Sequence, residues 1–423
     1  MQTLRISADH RSLSTADGKS FFYLADTAWE LFHRLDLTEA KDYLRDRAAK
    51  GFTAIQSVAL AELDGLHTPN RLGALPLEAD DPTRPVEAYF AHLDAVIDFA
   101  ADLGLYTALL PTWGDKWQSR WGAGPQVFTP ANAETYGEWI ALRYRTRPII
   151  WVLGGDRNPT TDADTAIIHA MARGVRRGSG GQQLITYHPM GGASSGQFFH
   201  DADWLDFNML QSGHSRTREN YRMIGEDYAR APVKPVIDAE PGYEDHPNNF
   251  KVEDGWLDAR DVRRFAYHAL LAGACGHTYG CHDIWQMLSE ANPPVTFART
   301  PWRQALALPG AAQMGHARRL LEALAPERRI PDQMLVVGDS GAAETYIAAA
   351  RDSDGQYALV YIPDGRPVTV DATLLAGAQV HARWYDPRSG AEHEQGLVAA
   401  VAQRYTPPVA GEDWVLVLEV TDG

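Results

Sequence analysis

Residues Ile149 to Asp156 read IIWVLGGD. A short continuous apolar run after Arg147-Pro148, stopped by a turn signal, fits a β-strand covered on both faces. The glycine pair lets the backbone bend tightly and leaves space in front of Asp156 that a side chain would fill. Further along, Val236 to Glu244 repeats the plan as VIDAEPGYE: apolar residues, then Asp238 and Glu240, then Pro241-Gly242. Each segment reads as a buried strand that ends in an acid.

The rest of the chain supplies the frame for these two strands. The spacing predicts strands over 21–26, 53–58, 105–111, 149–154, 184–188, 207–211, 235–240 and 276–280. Helical patterns separate them. The first is expected to be capped by Thr38 and closed by Gly51, and another to be stopped by Gly104. Eight such alternations predict an α/β fold of the (β/α)8 TIM-barrel type rather than a doubly wound sheet. No phosphate-binding glycine fingerprint follows the first strand. Past Ile330 the pattern changes to short strand-like runs with Asp354-Gly355, Asp364-Gly365 and Ser389-Gly390 between them. This predicts a barrel over 1–330 and a small C-terminal β-sandwich over 331–423.

Charge narrows the partners. Among 423 residues, 39 basic and 55 acidic side chains give a net charge of −16. Nucleic acid and an anionic membrane surface both call for a basic face, so neither is expected as a partner. Twelve tryptophans offer flat apolar faces with a polar edge, suited to stacking on sugar rings as well as to filling a core. The opening MQTLRISADHRSL has no apolar run that reads as a secretory signal or anchor, which makes a cytoplasmic protein the expectation. Two cysteines make no disulfide framework.

In a β/α barrel the active site forms at the C-terminal ends of the strands. The residues gathered there are Asp26, Trp29, Gln56, Trp113, Asp115, Trp117, Asp156, Arg157, Asn158, His188, Gln211, His214, Glu240, Tyr243, Glu244, His277, Tyr279, His282 and Trp285. Carboxylates and amides can grip hydroxyls while indoles stack on rings, so a carbohydrate is the expected ligand. Cleaving a glycosidic bond needs one acid to protonate the leaving oxygen and a second carboxylate as nucleophile or as base for water. Acids on strands four and seven lie across the barrel mouth, which makes Asp156 the candidate acid and Glu240 the candidate nucleophile or base. Asp156 would need a raised pKa, from burial against Trp151 or from a neighbouring carboxylate. Asp238, two residues before Glu240 and expected on the same strand face, is the second choice.

Asp26, Trp29, Gln56, Trp113, Trp117, Arg157, Asn158, His188, Gln211, His214, Tyr243, His282 and Trp285 are the candidate substrate contacts. Trp113 and Trp117, four apart, fit a sugar platform or one face of a short helix equally well. Cys275, His277, Cys281 and His282 are close enough in sequence to raise a metal-dependent hydrolase. Their C-x-H-x3-C-H spacing matches no standard structural site, and no metal or cofactor is expected. A non-catalytic sugar-binding barrel is the other alternative.

Longer motifs add a resemblance. FYLADTAWELFHRL, YLRDRAAKGFTAIQ, IIWVLGGDRNP, TYHPMGG, DFNMLQSGH, PVIDAEPGYEDHP and GACGHTYGCHDIWQM resemble the apiosidase-like glycoside hydrolases, glycoside hydrolase family 140. The C-terminal segment resembles the collagen-binding-type β domain found in that family. The resemblance implies a (β/α)8 catalytic barrel that hydrolyses an apiosyl linkage in pectin side chains, apiose joined to galacturonic acid. Its catalytic carboxylates fall on Asp156, in GGD, and on Glu240, in the DxEPxYE pattern. In the wider clan of retaining barrel glycosidases the strand-four acid is usually Glu preceded by Asn; here it is Asp preceded by Gly. A galacturonate in the neighbouring subsite calls for a basic residue, and Arg157 is the candidate.

Overall fold

The structure, a computed structural model, describes residues 1–421. Eight parallel strands form the barrel: β1 (Tyr23–Thr27), β2 (Ala54–Leu60), β3 (Tyr106–Thr112), β4 (Ile149–Gly154), β5 (Ile185–His188), β6 (Asn208–Gln211), β7 (Val236–Asp238) and β8 (Gly276–Tyr279). The ladder runs β5-β4-β3-β2-β1-β8-β7-β6, and Ala193–Ser194 adds a short antiparallel strand to β6. The remaining seam, β5 to β6, is bridged by Asp206 N donating to Ile185 O at 2.9 Å and by Thr186 Oγ1 donating to Phe207 O at 2.7 Å.

The strands are covered on both faces, as their apolar runs require. On β4, Ile150 and Val152 point into the barrel while Ile149, Trp151 and Leu153 face the helical layer. The barrel interior is filled by Tyr23, Ala25, Val58, Ala108, Leu110, Phe207, Met209 and Ile237. Leu4 and Leu13 join this inner cluster from an N-terminal antiparallel sheet of Leu4–Ile6, Leu13–Thr15 and Ser20–Phe21. The polar opening sequence hides that role, because only Leu4, Leu13 and the partly buried Ile6 carry it.

The outer layer comprises α1 (Leu37–Ala49), α2 (Glu87–Asp102), α3 (Pro130–Arg143), α4 (Asp162–Gly178), the four-residue α5 (Gly196–Phe199), α6 (Asn220–Tyr228), α7 (Ala259–Leu271) and α8 (Pro309–Glu322). Thr38 is not the cap of α1. Asp36 is, accepting Glu39 N at 2.9 Å while Glu39 Oε2 accepts Asp36 N at 3.2 Å. Such a reciprocal box satisfies two backbone donors that the helix cannot, and a cap is worth about 1 kcal/mol. Thr129, Thr161 and Asp258 start α3, α4 and α7 in the same way.

Beyond the barrel stand two antiparallel sheets. The larger is ordered Arg329–Pro331, Ala348–Asp352, Tyr357–Ile362, Trp414–Val420, Gln379–Tyr385, Glu392–Ala399. The smaller contains Val336–Val337, Val368–Asp371 and Ala402–Tyr405. The sequence pattern does not reveal the 392–399 strand, an edge strand whose side chains are mostly polar and exposed. The β domain docks on α7. Arg263 makes a bidentate pair with Asp413 at 2.8 and 2.7 Å, and Tyr267 stacks on Tyr361 with ring centroids 4.8 Å apart.

Candidate active site

At the C-terminal end of β4 the chain turns through three successive left-handed residues, Gly154 (φ 95°), Gly155 (φ 85°) and Asp156 (φ 56°). A Cβ at Gly154 would meet His188 O at 2.4 Å, so the first glycine is required by space as well as by φ. Asp156 is a non-glycine residue in that region, a conformation Asp tolerates better than most side chains but one that still stores strain. The turn presents its carboxyl to a cavity of ≈ 500 Å³ at the barrel mouth.

Glu240 reaches the same cavity from β7 by a route the alternation rule misses. Ile237 and Ala239 point into the barrel and Asp238 points out, so continued pleating would turn Glu240 outward as well. The strand ends at Asp238, however, and the bend beyond it carries Glu240 over the mouth, with Gly213 N donating to its carbonyl at 2.9 Å. Asp238, the second choice, does not reach the cavity. It is fully buried and held by Ser212 Oγ at 2.8 Å and Asn220 Nδ2 at 3.0 Å, on the helix side.

The two cavity carboxyls are held in opposite states. Burial, then the negative charge of Glu240, raises Asp156 to about 6, against the pull of His188, Arg157 and the Trp121 indole. Trp121 Nε1 donates to Asp156 Oδ2 at 3.1 Å, and Arg157 Nη1 lies 3.5 Å from the same oxygen. Trp151 takes no part; it faces the helices and donates to Gln183 Oε1 at 2.8 Å. For Glu240, burial also pushes upward, but contact with His188 and His214 and their positive charge outweigh it and bring the carboxyl down to about 2. His214 Nε2 and His188 Nε2 each approach a Glu240 oxygen to 3.2 Å. The His188 approach is off the hydrogen-bond axis.

Trp29, Trp113, Gln211, His214, Tyr243, His282 and Trp285 line the cavity with the two acids, as the strand-end argument expects. Gln211 Oε1 and Tyr243 Oη are buried there without a protein partner, which suits a ligand rich in hydroxyls. His188 lies beneath, its ring edge-on to Trp29 at 5.4 Å. His214, His246 and His282 form a packed imidazole wall with centroids 4.2 and 4.3 Å apart. Burial lowers His282 to about 4, and its ring accepts from Trp285 Nε1 at 3.2 Å while its Nε2 meets Thr296 O at 2.7 Å.

The other candidates sit elsewhere. Asp26 is wholly buried and bonded to Tyr43 Oη at 2.6 Å and Arg47 Nε at 2.5 Å. Gln56 spans the barrel interior, accepting from Tyr23 Oη at 3.1 Å and donating to Ala239 O at 3.0 Å. Trp117 packs among the helices and donates to Gly154 O at 2.9 Å, which braces the turn under Asp156. Asn158 Oδ1 accepts Met190 N at 2.9 Å and so ties down the loop after β5. Arg157 is fully buried beneath the Trp121 ring, 4.0 Å from its centroid, and donates to Asp156 O at 2.7 Å. It is therefore placed to brace the acid rather than to meet a substrate carboxylate.

Cys275 lies in the inner barrel cluster, Cys281 in the outer layer and His282 at the cavity. Among the described residues no group of three or more His, Cys, Asp or Glu converges as metal ligands do. Tyr279 and Glu244 bond to each other at 2.6 Å in the helical layer. Sequence reasoning does not find Glu62, Trp121, Met190, Arg218, His246 and Phe250, all cavity-lining. They come from loops whose course no local pattern fixes, although Trp121 lies only four residues past the conspicuous Trp113–Trp117 stretch.

Comparison with known proteins agrees with this geometry. Residues 7–326 match the family described as "Apiosidase-like, catalytic domain", and residues 330–419 match the "Putative collagen-binding domain of a collagenase". A solved structure titled "Glycoside hydrolase" is 31% identical with a TM-score of 0.91, covering 99% of this chain and 97% of its own. A glycoside hydrolase family 5 structure from Bacteroides vulgatus is 30% identical with a TM-score of 0.91, covering 99% of this chain and 94% of its own. No curated protein matches the sequence. With a catalytic-domain match across the whole barrel, and full-length likeness to solved glycoside hydrolases, the chain belongs to the apiosidase-like family and is a glycosidase.

Proposed function

We propose that the protein removes a terminal sugar, apiose or a close relative, from plant-derived pectic oligosaccharides, with Asp156 as general acid and Glu240 as nucleophile or base. The observation that carries the reading is the pair of carboxyls in one cavity, one held up to about 6 and the other down to about 2. Two acids pushed apart by their surroundings are the usual sign of divided labour.

In this reading the sugar enters the cavity against Trp29, Trp113 and Trp285. Asp156 gives its proton to the leaving oxygen as the bond to the anomeric carbon breaks. Glu240, kept anionic by His188 and His214, either bonds to that carbon or takes a proton from the attacking water. A cavity of ≈ 500 Å³, the size of a small-ligand site, supports action at a chain end. An acidic neighbour such as galacturonate needs a cation. Arg218, exposed on the cavity lining with its guanidinium free of ion pairs and hydrogen bonds among the described residues, suits that task better than the buried Arg157.

The test is sugar release from apiosyl, arabinofuranosyl, galactosyl, rhamnosyl and apiosyl-galacturonate substrates. Release of apiose from the last, weakened by Arg218→Ala, is the expected outcome. Release of another sugar alone would overturn the apiosyl assignment and leave the carboxyl pair in place.

A further inference from the structure

A third carboxyl, Glu62, faces the cavity that holds Asp156 and Glu240, two residues past the end of β2. The other two acids are engaged, Asp156 with Trp121 and Arg157, Glu240 with the two histidines. The Glu62 carboxyl has no hydrogen bond or ion pair among the described residues, its backbone carbonyl alone accepting Gly65 N at 2.9 Å. Its natural counter-ion, Lys116, is occupied: the ammonium donates to Ala61 O at 2.6 Å and lies 2.8 Å from Asp115 Oδ1.

Resting on the reading of this cavity as a glycosidase site, we infer that Glu62 grips the bound sugar, its carboxyl hydrogen-bonding neighbouring hydroxyls beside Asp156. The Glu62 side chain is half-buried and open to the cavity, so a sugar hydroxyl can replace water as its partner there. The protonation state fits the task. Burial first, then the charges of Glu30, Asp156 and Asp115, hold the Glu62 carboxyl well above the usual carboxylate range, with Lys116 offsetting only part. A neutral carboxyl has an O–H to give and a carbonyl oxygen to receive, whereas a carboxylate can only receive. Adjacent sugar hydroxyls each do both, so a neutral Glu62 can donate to one and accept from the next. A protonated Glu62 also adds no second negative charge beside Asp156.

The experiment follows sugar binding through the fluorescence of the cavity tryptophans, in a Glu240→Gln background that removes turnover as a complication. The probes are D-apiose, L-arabinose, D-galactose, L-rhamnose and apiosyl-galacturonate, with thermal unfolding as a control for folding. For the probe that binds best, Glu62→Ala is expected to weaken affinity about 10- to 100-fold, the span of one or two lost hydrogen bonds. Glu62→Gln, which restores a neutral donor and acceptor, is expected to recover affinity to within about threefold of the parent, roughly half a hydrogen bond. Unchanged binding in a folded Glu62→Ala protein would overturn the inference alone. Glu62→Gln as weak as Glu62→Ala would overturn the neutral hydrogen-bonding role in favour of a charge. Failure of all probes to bind even the parent would overturn the sugar-site reading on which the inference stands.

Discussion

Trp121 donates its indole N–H to Asp156 Oδ2 over 3.1 Å while its ring covers the Arg157 guanidinium at 4.0 Å. That bond favours the ionised form of Asp156. Trp121→Phe keeps the ring and loses the bond, so the carboxyl is expected to titrate higher and the alkaline limb of the pH–kcat/KM profile to move up. Trp121→Ala also strips the cover from Arg157 and is expected to raise KM. A profile unmoved in Trp121→Phe would mean the indole does not touch the acid in solution.

The opposed states of Asp156 and Glu240 fix the shape of that profile in the native protein. In the proposed assignment the productive form has Asp156 protonated and Glu240 ionised. As pH rises through about 6 Asp156 loses its proton, so kcat/KM is expected to fall there. As pH drops, activity is kept until Glu240 gains a proton near 2. An optimum above neutrality with loss on the acid side would reverse the two assignments.

Asp26 supplies a prediction about stability rather than chemistry. It and Arg47 are both fully buried, 2.5 Å apart, with Tyr43 Oη at 2.6 Å. Neutralising Asp26 leaves Arg47 with only its second partner, Asp46, 2.6 Å away at the edge of the buried layer, and is expected to cost about 1–3 kcal/mol. Asp26→Asn is expected to show that loss in urea unfolding with kcat/KM of the folded fraction nearly unchanged. A collapse of kcat/KM at full stability would return Asp26 to the substrate contacts.

Arg263 and Asp413 join α7 to the β domain through a pair that Tyr361 Oη also touches, at 3.2 Å. Asp413→Ala is expected to lower the unfolding free energy by about 3–5 kcal/mol and to part the melting of barrel and β domain. A single unshifted transition would show that the two domains hold together without this pair.

The barrel is legible in the sequence because strands covered on both faces must be apolar throughout, as in Ile149–Leu153, and because helix patterns separate them. Asp156 and Glu240 are legible because each follows such a run and precedes or follows a turn residue. Which way a side chain points after the strand stops is not legible. Asp26, still within β1, keeps the pleat and faces Arg47 on α1, whereas Glu240, past the end of β7, escapes it. Trp117 closes a one-turn helix, Gly114–Lys116, that separates it from Trp113 and sets it under the Gly154 carbonyl. Arg218, His246 and Phe250 meet the site only because long loops fold back over the mouth, and a loop's path is set by contacts distant in sequence.

The most direct measurement compares the native protein, Asp156→Asn and Glu240→Gln on two glycosides of the same sugar, one with a sugar leaving group and one with a nitrophenol that departs without a proton. Asp156→Asn is predicted to lose about 10²- to 10⁴-fold on the first and far less on the second, the range expected of a general acid. Glu240→Gln is predicted to lose activity on both. Equal losses for Asp156→Asn on the two substrates, or full activity in either variant, would contradict the division of labour between the two carboxyls.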